Sequence, residues 1–337
     1  MVIIRNKKTL VLFIITIFVI GLMSMLRPET FFSIRNFQSM SVQIPEFGLL
    51  AVAISLCLLT GGIDLSVVAI ANLTGIATAW LLTNFITPEM SGANISLVII
   101  LIIIMALLLS TFLGFINGIL ITRVGITPIL ATLGTMGLFG GLGVIITKGV
   151  GITGLPEKFL YLGTAIIGKV PIQLYIFIAV VLLVGLVLNR TLFGFNVFMI
   201  GANPIAASFS GININSVLVR VYMMSGFLAG ISGLLIISKA NSARSGYGAS
   251  FLLPAVLVAV MGGIDARGGF GNITGVVLSL VLLQSLQSGF NILGFSSFFK
   301  NIILGAMLLL VMVINYIGAR AAERLELRRE LLKVSKE

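Results

Sequence analysis

Long apolar runs, separated by short polar or glycine-containing stretches, follow one another from residue 9 to residue 317. A helical run of about 20 apolar residues crosses the roughly 30 Å hydrocarbon core of a bilayer, and in lipid only helices or closed barrels satisfy every backbone N–H and C=O. These runs are too long for barrel strands. The pattern therefore predicts an all-α, polytopic transmembrane helix bundle of about ten spans, near 9–26, 44–61, 65–86, 95–120, 127–147, 172–188, 216–238, 251–264, 272–293 and 299–317. The eighth is short enough for a broken or half-spanning helix. The whole chain, 1–337, reads as one transmembrane domain with a basic N-terminus (1–8), a long loop over 189–216 and a basic tail (318–337).

Composition strengthens this picture. The chain is 58% hydrophobic and only 9% charged, with a mean hydropathy of +1.20, whereas a soluble domain wraps its core in a surface about a quarter charged. The net charge of +11 does not point to nucleic acid, because the Lys and Arg sit between apolar runs and at the ends rather than on one face with interleaved aromatics. An even number of spans puts both termini on one side. Placing that side in the cytoplasm brings in Arg5, Lys7, Lys8, Arg123, Arg190, Arg220, Arg267 and the tail from Arg320 to Lys336, as the positive-inside rule requires. The first run follows basic residues as a secretory signal would, but it has no small-residue cleavage site and is read as a retained helix. In the tail, Glu326 and Glu330 are spaced like surface ion-pair partners, so the last helix is expected to extend into the cytoplasm.

Much chemistry is missing. There is no His, and the single Cys57 lies in an apolar run, so no disulfide, metal centre or His-based catalysis is expected, and no cofactor. Gly163 to Lys169 spells G-x-x-x-x-G-K, but Val170 and Pro171 follow where a phosphate loop needs Ser or Thr opening a helix. Gly149, Gly151 and Gly154 mimic a dinucleotide fingerprint without its βαβ unit. Both read as loop glycines. The predicted spans hold almost no ionisable groups: Asp64 and Asp265 fall at helix junctions and Glu46 near a span end. An ion-driven transporter binds its coupling ion with such groups, so uphill transport by this chain would draw on a partner's energy. Glycine is abundant, and the pairs Gly114/Gly118, Gly137/Gly141, Gly226/Gly230 and Gly271/Gly275 have the spacing that lets helix backbones approach closely.

Three stretches carry a resemblance. The first is Thr60-Gly61-Gly62-Ile63-Asp64-Leu65-Ser66. The second runs from Thr191 through Gly194, Gly201, Asn203, Ala206 and Ala207 to Gly211-Ile212. The third runs from Asn241 to Gly248 and on through Gly262-Gly263-Ile264-Asp265-Ala266-Arg267-Gly268-Gly269-Phe270-Gly271-Asn272. In this order, over about residues 30–317, the chain resembles the permease subunits of bacterial ABC importers of the ribose, galactose and autoinducer-2 type. It departs from their pattern at Val68, Phe195 and Asn272, where those proteins usually carry Gly, Arg and Ser. The resemblance implies a non-catalytic, multi-pass subunit of the bacterial inner membrane that works with a cytoplasmic ATP-binding subunit, a second permease copy or paralogue and an extracytoplasmic solute-binding protein. Gly194, Gly201, Asn203, Ala206, Ala207 and Gly211 would then belong to a short cytoplasmic helix that docks on the ATPase.

For Asp64 and Asp265 two readings stand, a helix N-cap or a role in gating or solute contact. The repeated Gly-Gly-Ile-Asp at 61–64 and 262–265 is compatible with the internal duplication found in transporters. Candidates for the translocation path are Asp64, Asn72, Thr74, Thr78, Asn117, Thr132, Thr135, Phe139, Gln284, Gln287 and Asn291, because amides and hydroxyls offer the donors and acceptors a hydroxyl-rich solute needs. The same groups also suit bonds between helices. A monosaccharide or autoinducer-2 is the expected solute, with a nucleoside next. A self-sufficient facilitator or secondary transporter, and an ABC permease of another type, remain as alternatives.

Overall fold

The computed structural model describes residues 2–87 and 90–334, with the side chains of 2–8, 315–316 and 318–334 outside the description. The expectations for the basic N-terminus and for the side chains of the tail thus lie outside the described residues. Two units are distinguished, Met1–Gly294 and Phe295–Glu337.

In the first unit the helices are α1 (Val2–Leu26), α2 (Pro28–Phe31), α3 (Ile34–Leu59), α4 (Val67–Phe85), α5 (Gly92–Thr122), α6 (Pro128–Thr147), α7 (Glu157–Thr164), α8 (Ile172–Arg190), α9 (Leu192–Ala202), α10 (Pro204–Phe209), α11 (Ile214–Ala240), α12 (Leu252–Met261) and α13 (Ile273–Ile292). Four two-residue strands join them: β1 (Ile152–Thr153) pairs antiparallel with β4 (Ser242–Ala243), and β2 (Ile166–Ile167) with β3 (Val170–Pro171). The second unit is the single helix α14 (Ser297–Val334).

All ten predicted spans are helical. Among the described residues nine helices are long and apolar enough to cross a membrane. The tenth, α12, has ten residues, about 15 Å at 1.5 Å per residue. It is the eighth predicted segment, the one expected to be broken. A 3-10 turn at Ala249–Phe251 leads into it.

The helix termini follow their local sequence. Thr191, Asn203, Asn213 and Asn272 cap α9, α10, α11 and α13 by accepting from the backbone amides of Gly194, Ala206, Ser216 and Thr274, which satisfies donors that a helix start leaves free. Pro128 opens α6, where its missing N–H costs nothing.

Helix α11 occupies the centre, packed against α3, α4, α5 and α7. Its contact with α5 is made by small residues. A Cβ on Gly118 would lie 2.8 Å from the Val219 Cα, and Cβ atoms on Gly114, Gly226 or Gly230 would overlap atoms of the facing helix. The close-packing expectation therefore holds for Gly114/Gly118 and Gly226/Gly230. At Gly137 and Gly141 it does not, because nothing stands within 4 Å of either. Large apolar side chains face outward, among them Phe18, Ile100, Leu108, Leu130, Ile145 and Leu182, the reverse of a soluble fold and the arrangement lipid demands.

The phosphate-loop lookalike is a hairpin. Gly168 and Lys169 both have positive φ (56° and 70°) between β2 and β3, which the tight turn of a two-residue connection requires. Gly163 is a correction to the loop reading: it lies in α7, with its α-carbon packed on the backbone of Ser238 and Lys239 in α11.

Candidate functional site

The segment between α8 and α11 is two short helices rather than an open loop. Thr191 Oγ1 donates to the Val187 carbonyl (2.6 Å) and accepts from the Gly194 amide (3.2 Å), so the chain turns sharply, and Gly194 lies too close to the Leu188 carbonyl for a side chain. Asn203 Oδ1 accepts from the Ala206 amide at 3.0 Å. Ala207 is fully buried, and Gly211 closes α10 with φ +79°. Of the six residues expected to couple to an ATPase, Gly194, Gly201 and Ala207 thus shape the turn from inside, while Asn203, Ala206 and Gly211 reach the surface. The large side chains that project outward are apolar: Leu192, Phe195, Ile205 at 70% exposed and Phe209 at 90%.

Gly201 faces inward against the end of α3 and the turn between α12 and α13. The amide of Gly269 donates to the carbonyl of Leu59, the last residue of α3, at 2.9 Å, and the Gly201 α-carbon lies against both. The α3 and α12 helices end in the same way. Gly61 (φ +78°) and Gly263 (φ +82°) are left-handed, and the amides of Gly62 and Ile264 reach back to Cys57 and Ala259, the bonding that ends a helix through a left-handed glycine. The structural match pairs Gly61 with Gly263, whereas the Gly-Gly-Ile-Asp repeat pairs Gly61 with Gly262. The sequence repeat is therefore one residue out of step with the geometry.

Beyond the α3 turn lies a buried polar cluster. Asp64 is 0% exposed. Its Oδ1 accepts from the Ser66 amide (3.0 Å) and the Ser66 hydroxyl (2.6 Å), and its Oδ2 from the Ser225 hydroxyl of α11 (2.8 Å). Asn117 Nδ2 on α5 donates to Ser66 Oγ (2.7 Å), and Thr135 Oγ1 on α6 donates to Asn117 Oδ1 (2.7 Å). Thr132 also leans on the turn, its hydroxyl 3.3 Å from the Ile63 carbonyl. The carboxyl group has no ion pair among the described residues; it is held by three donors instead.

The capping expectation is corrected for both aspartates. Ser66 stands at the α4 N-cap and Asp64 holds it in place. Asp265 accepts from the Arg267 amide (2.9 Å) and pairs with its guanidinium (3.3 Å), while Asn272 caps α13.

The remaining path candidates do not converge on this cluster. Phe139 is buried one turn beyond Thr135 on α6. Thr78 Oγ1 donates to the Thr74 carbonyl inside α4 (2.8 Å), and Asn72 Nδ2 donates to the Tyr247 carbonyl (3.2 Å). Gln284 on α13 donates to Gln43 Oε1 on α3 (3.3 Å). Gln287 is half-buried and Asn291 exposed on the same helix.

The expected poverty of titratable groups is also corrected. Helix α3 begins at Ile34, ten residues before the predicted start near 44, so Glu46 lies inside a span rather than at its end. There it is 5% exposed and pairs with Lys239 in the last turn of α11 at 2.9 Å. The early polar residues of α3, Arg35, Asn36, Gln38, Ser39 and Gln43, hid that start from a hydropathy reading.

A family model described as branched-chain amino acid transport system / permease component matches residues 36–312. The chain belongs to this family. The permease is 32% identical over 314 residues to the ribose import permease protein RbsC of Haemophilus influenzae, covering 91% of this chain and 93% of that one. It is 33% identical over 306 residues to RbsC of Bacillus subtilis, 90% of each chain, and 35% identical over 272 residues to the autoinducer 2 import system permease protein LsrD of Yersinia enterocolitica, 79% of each. No solved structure matches. The permease is thus a multi-pass protein of the bacterial inner membrane, and the matched range contains the α8–α11 segment, the turns that end α3 and α12, and the buried cluster. Sequence reading missed Ser225, which no motif marks, and the outward Ile205 and Phe209, whose only signal is apolar character in an otherwise small and polar stretch.

Proposed function

We propose that the permease is the membrane-spanning subunit of an ATP-driven importer for a monosaccharide or for autoinducer-2, working as a pair of permease subunits with a cytoplasmic ATPase and an external solute-binding protein. The observation that carries this reading is the α9–α10 segment. It presents Leu192, Phe195, Ile205 and Phe209 to solvent from a rigid, capped turn between two spans, and an apolar patch rimmed by polar residues marks a protein–protein contact. A cytoplasmic ATPase fits that surface. The printed functions of RbsC and LsrD favour a sugar-like solute, and the neutral amides and hydroxyls inside the bundle suit one.

Reconstitution in lipid vesicles tests the proposal. Uptake of ribose or autoinducer-2 is expected only when the ATPase, ATP and the binding protein are all present, and uptake by the permease alone without nucleotide sinks it.

A second reading has one specific observation in its favour. Asp64 and the Glu46–Lys239 pair are titratable groups inside the bundle, and such groups serve ion-coupled transporters. Uptake driven by an imposed pH gradient, with no ATPase present, would establish that reading instead.

A further inference from the structure

Three chain segments touch backbone to backbone beside Leu59. Gly201 at the end of α9 leaves no room for a Cβ against the Leu59 carbonyl. A Cβ on Gly268 would lie 2.6 Å from the Gly61 amide nitrogen and 3.0 Å from the Gly201 α-carbon, and one on Gly269 would lie 2.6 Å from the Ala202 α-carbon. Gly268 (φ +91°) and Gly269 (φ +76°) are also in the left-handed region, which side chains rarely adopt. A contact between side chains absorbs a small displacement by changing rotamer. Backbones in direct contact have no such freedom, so a shift of α9 must either break the contact or carry both turns with it.

From this joint the path to the bundle is short. The α3 turn is held by the bonds from Gly61 to Leu58 (2.9 Å) and from Gly62 to Cys57 (3.1 Å). It then delivers Asp64 and Ser66 into the cluster that grips α5, α6 and α11. On the other side, Gly262 packs on the backbone at the start of α13, where its Cβ would lie 2.7 Å from the Val276 α-carbon.

We propose that the glycine joint formed by Gly61, Gly201, Gly268 and Gly269 is the mechanical link through which movement of α9 and α10 reaches the spanning helices, with the Asp64 cluster as its receiving end. Gly268 and Gly269 act as positioning residues. They hold the α12–α13 turn against α9 so that one displacement moves the ends of α3 and α12 together. The inference rests on the reading of α9–α10 as the ATPase-docking segment.

The test uses the full permease with its ATPase and binding protein in vesicles, carrying Gly269→Ala or Gly268→Ala. The complex is expected to assemble, with basal ATP hydrolysis within twofold of the unsubstituted complex, while solute transported per ATP hydrolysed falls tenfold or more. A ratio unchanged within twofold overturns the inference and leaves the importer reading intact. An unsubstituted permease that binds no ATPase removes the reading and the inference together. Should neither variant yield folded protein, amide hydrogen exchange on the unsubstituted complex decides the matter: ATP binding is expected to change exchange at 58–66 and 262–270 together with 199–204. A change confined to 199–204 overturns the inference.

Discussion

Asp64 and Asn117 hold opposite sides of one hydroxyl: Ser66 Oγ donates to the Asp64 carboxylate at 2.6 Å and accepts from the Asn117 amide at 2.7 Å. Every bond in this chain points the same way, from Thr135 through Asn117 and Ser66 to a carboxylate that Ser225 reaches from the other side. A buried carboxyl group without a cation is tolerable because donors from several elements converge on it. In doing so they fasten the α3–α4 turn to α5, α6 and α11.

Removing the acceptor should therefore cost more than weakening it. Asp64→Ala leaves the Ser66 amide without its acceptor at a cost of about 1–3 kcal/mol, and is expected to lower the melting temperature of the detergent-solubilised protein and to abolish transport. Asp64→Asn keeps one acceptor oxygen, and the serine hydroxyls can turn to accept, so its loss should be smaller. Equal melting temperatures for Asp64→Ala and the unsubstituted protein would contradict the cluster's structural role.

The Glu46–Lys239 pair predicts a coupling that single substitutions conceal. Lys239→Ala leaves a carboxylate only 7% exposed without its cation. Because Lys239 is itself 40% exposed, the expected loss is at the low end of the roughly 3–5 kcal/mol seen when a buried pair is broken. Adding Glu46→Gln should recover most of it, which a double-mutant cycle by thermal unfolding measures directly.

Two glycine substitutions of the same kind should behave oppositely. Gly226→Ala drives a methyl into the Ser110 carbonyl and is expected to destabilise by about 1–3 kcal/mol through overpacking. Gly137→Ala meets nothing within 4 Å and lies inside a helix, so it should be neutral or stabilise by up to about 1 kcal/mol. Paired melting curves check both.

Tyr222 offers a gain. Its hydroxyl is buried without a hydrogen-bond partner among the described residues, 2.7 Å from where a Gly62 Cβ would stand. An unsatisfied buried group costs about 1–3 kcal/mol, so Tyr222→Phe is expected to raise the melting temperature. A fall would mean that the hydroxyl has a partner in solution.

At the apolar patch, Phe209→Ser or Ile205→Ser should leave the melting temperature unchanged, since both side chains already face solvent. Binding of the purified ATPase subunit should weaken about tenfold or more, the loss expected for a central aromatic anchor. Unchanged binding would place the ATPase elsewhere.

The sequence by itself determined the helical, lipid-embedded character of the chain and the approximate position of every span. Those follow from the length of apolar runs, and the bilayer enforces them on each segment separately. It also exposed the broken eighth span, because too few apolar residues separate Phe251 from Gly262, and it marked Asp64, Asn117, Thr132 and Thr135 as polar candidates, for the translocation path or for bonds between helices.

Only the tertiary structure decided that these groups meet, that Glu46 sits inside a helix opposite Lys239, and that the Gly-Gly-Ile-Asp repeat is out of register with the turns it accompanies. Hydropathy averages over a window, so the polar start of α3 fell outside the predicted span, and a four-residue match carries no φ angles. The pairing of Asp64 with Ser225, or of Gly269 with Leu59, is set by how helices far apart in sequence pack. Such packing in lipid depends on backbone approach and complementary donors rather than on any local pattern of apolar residues.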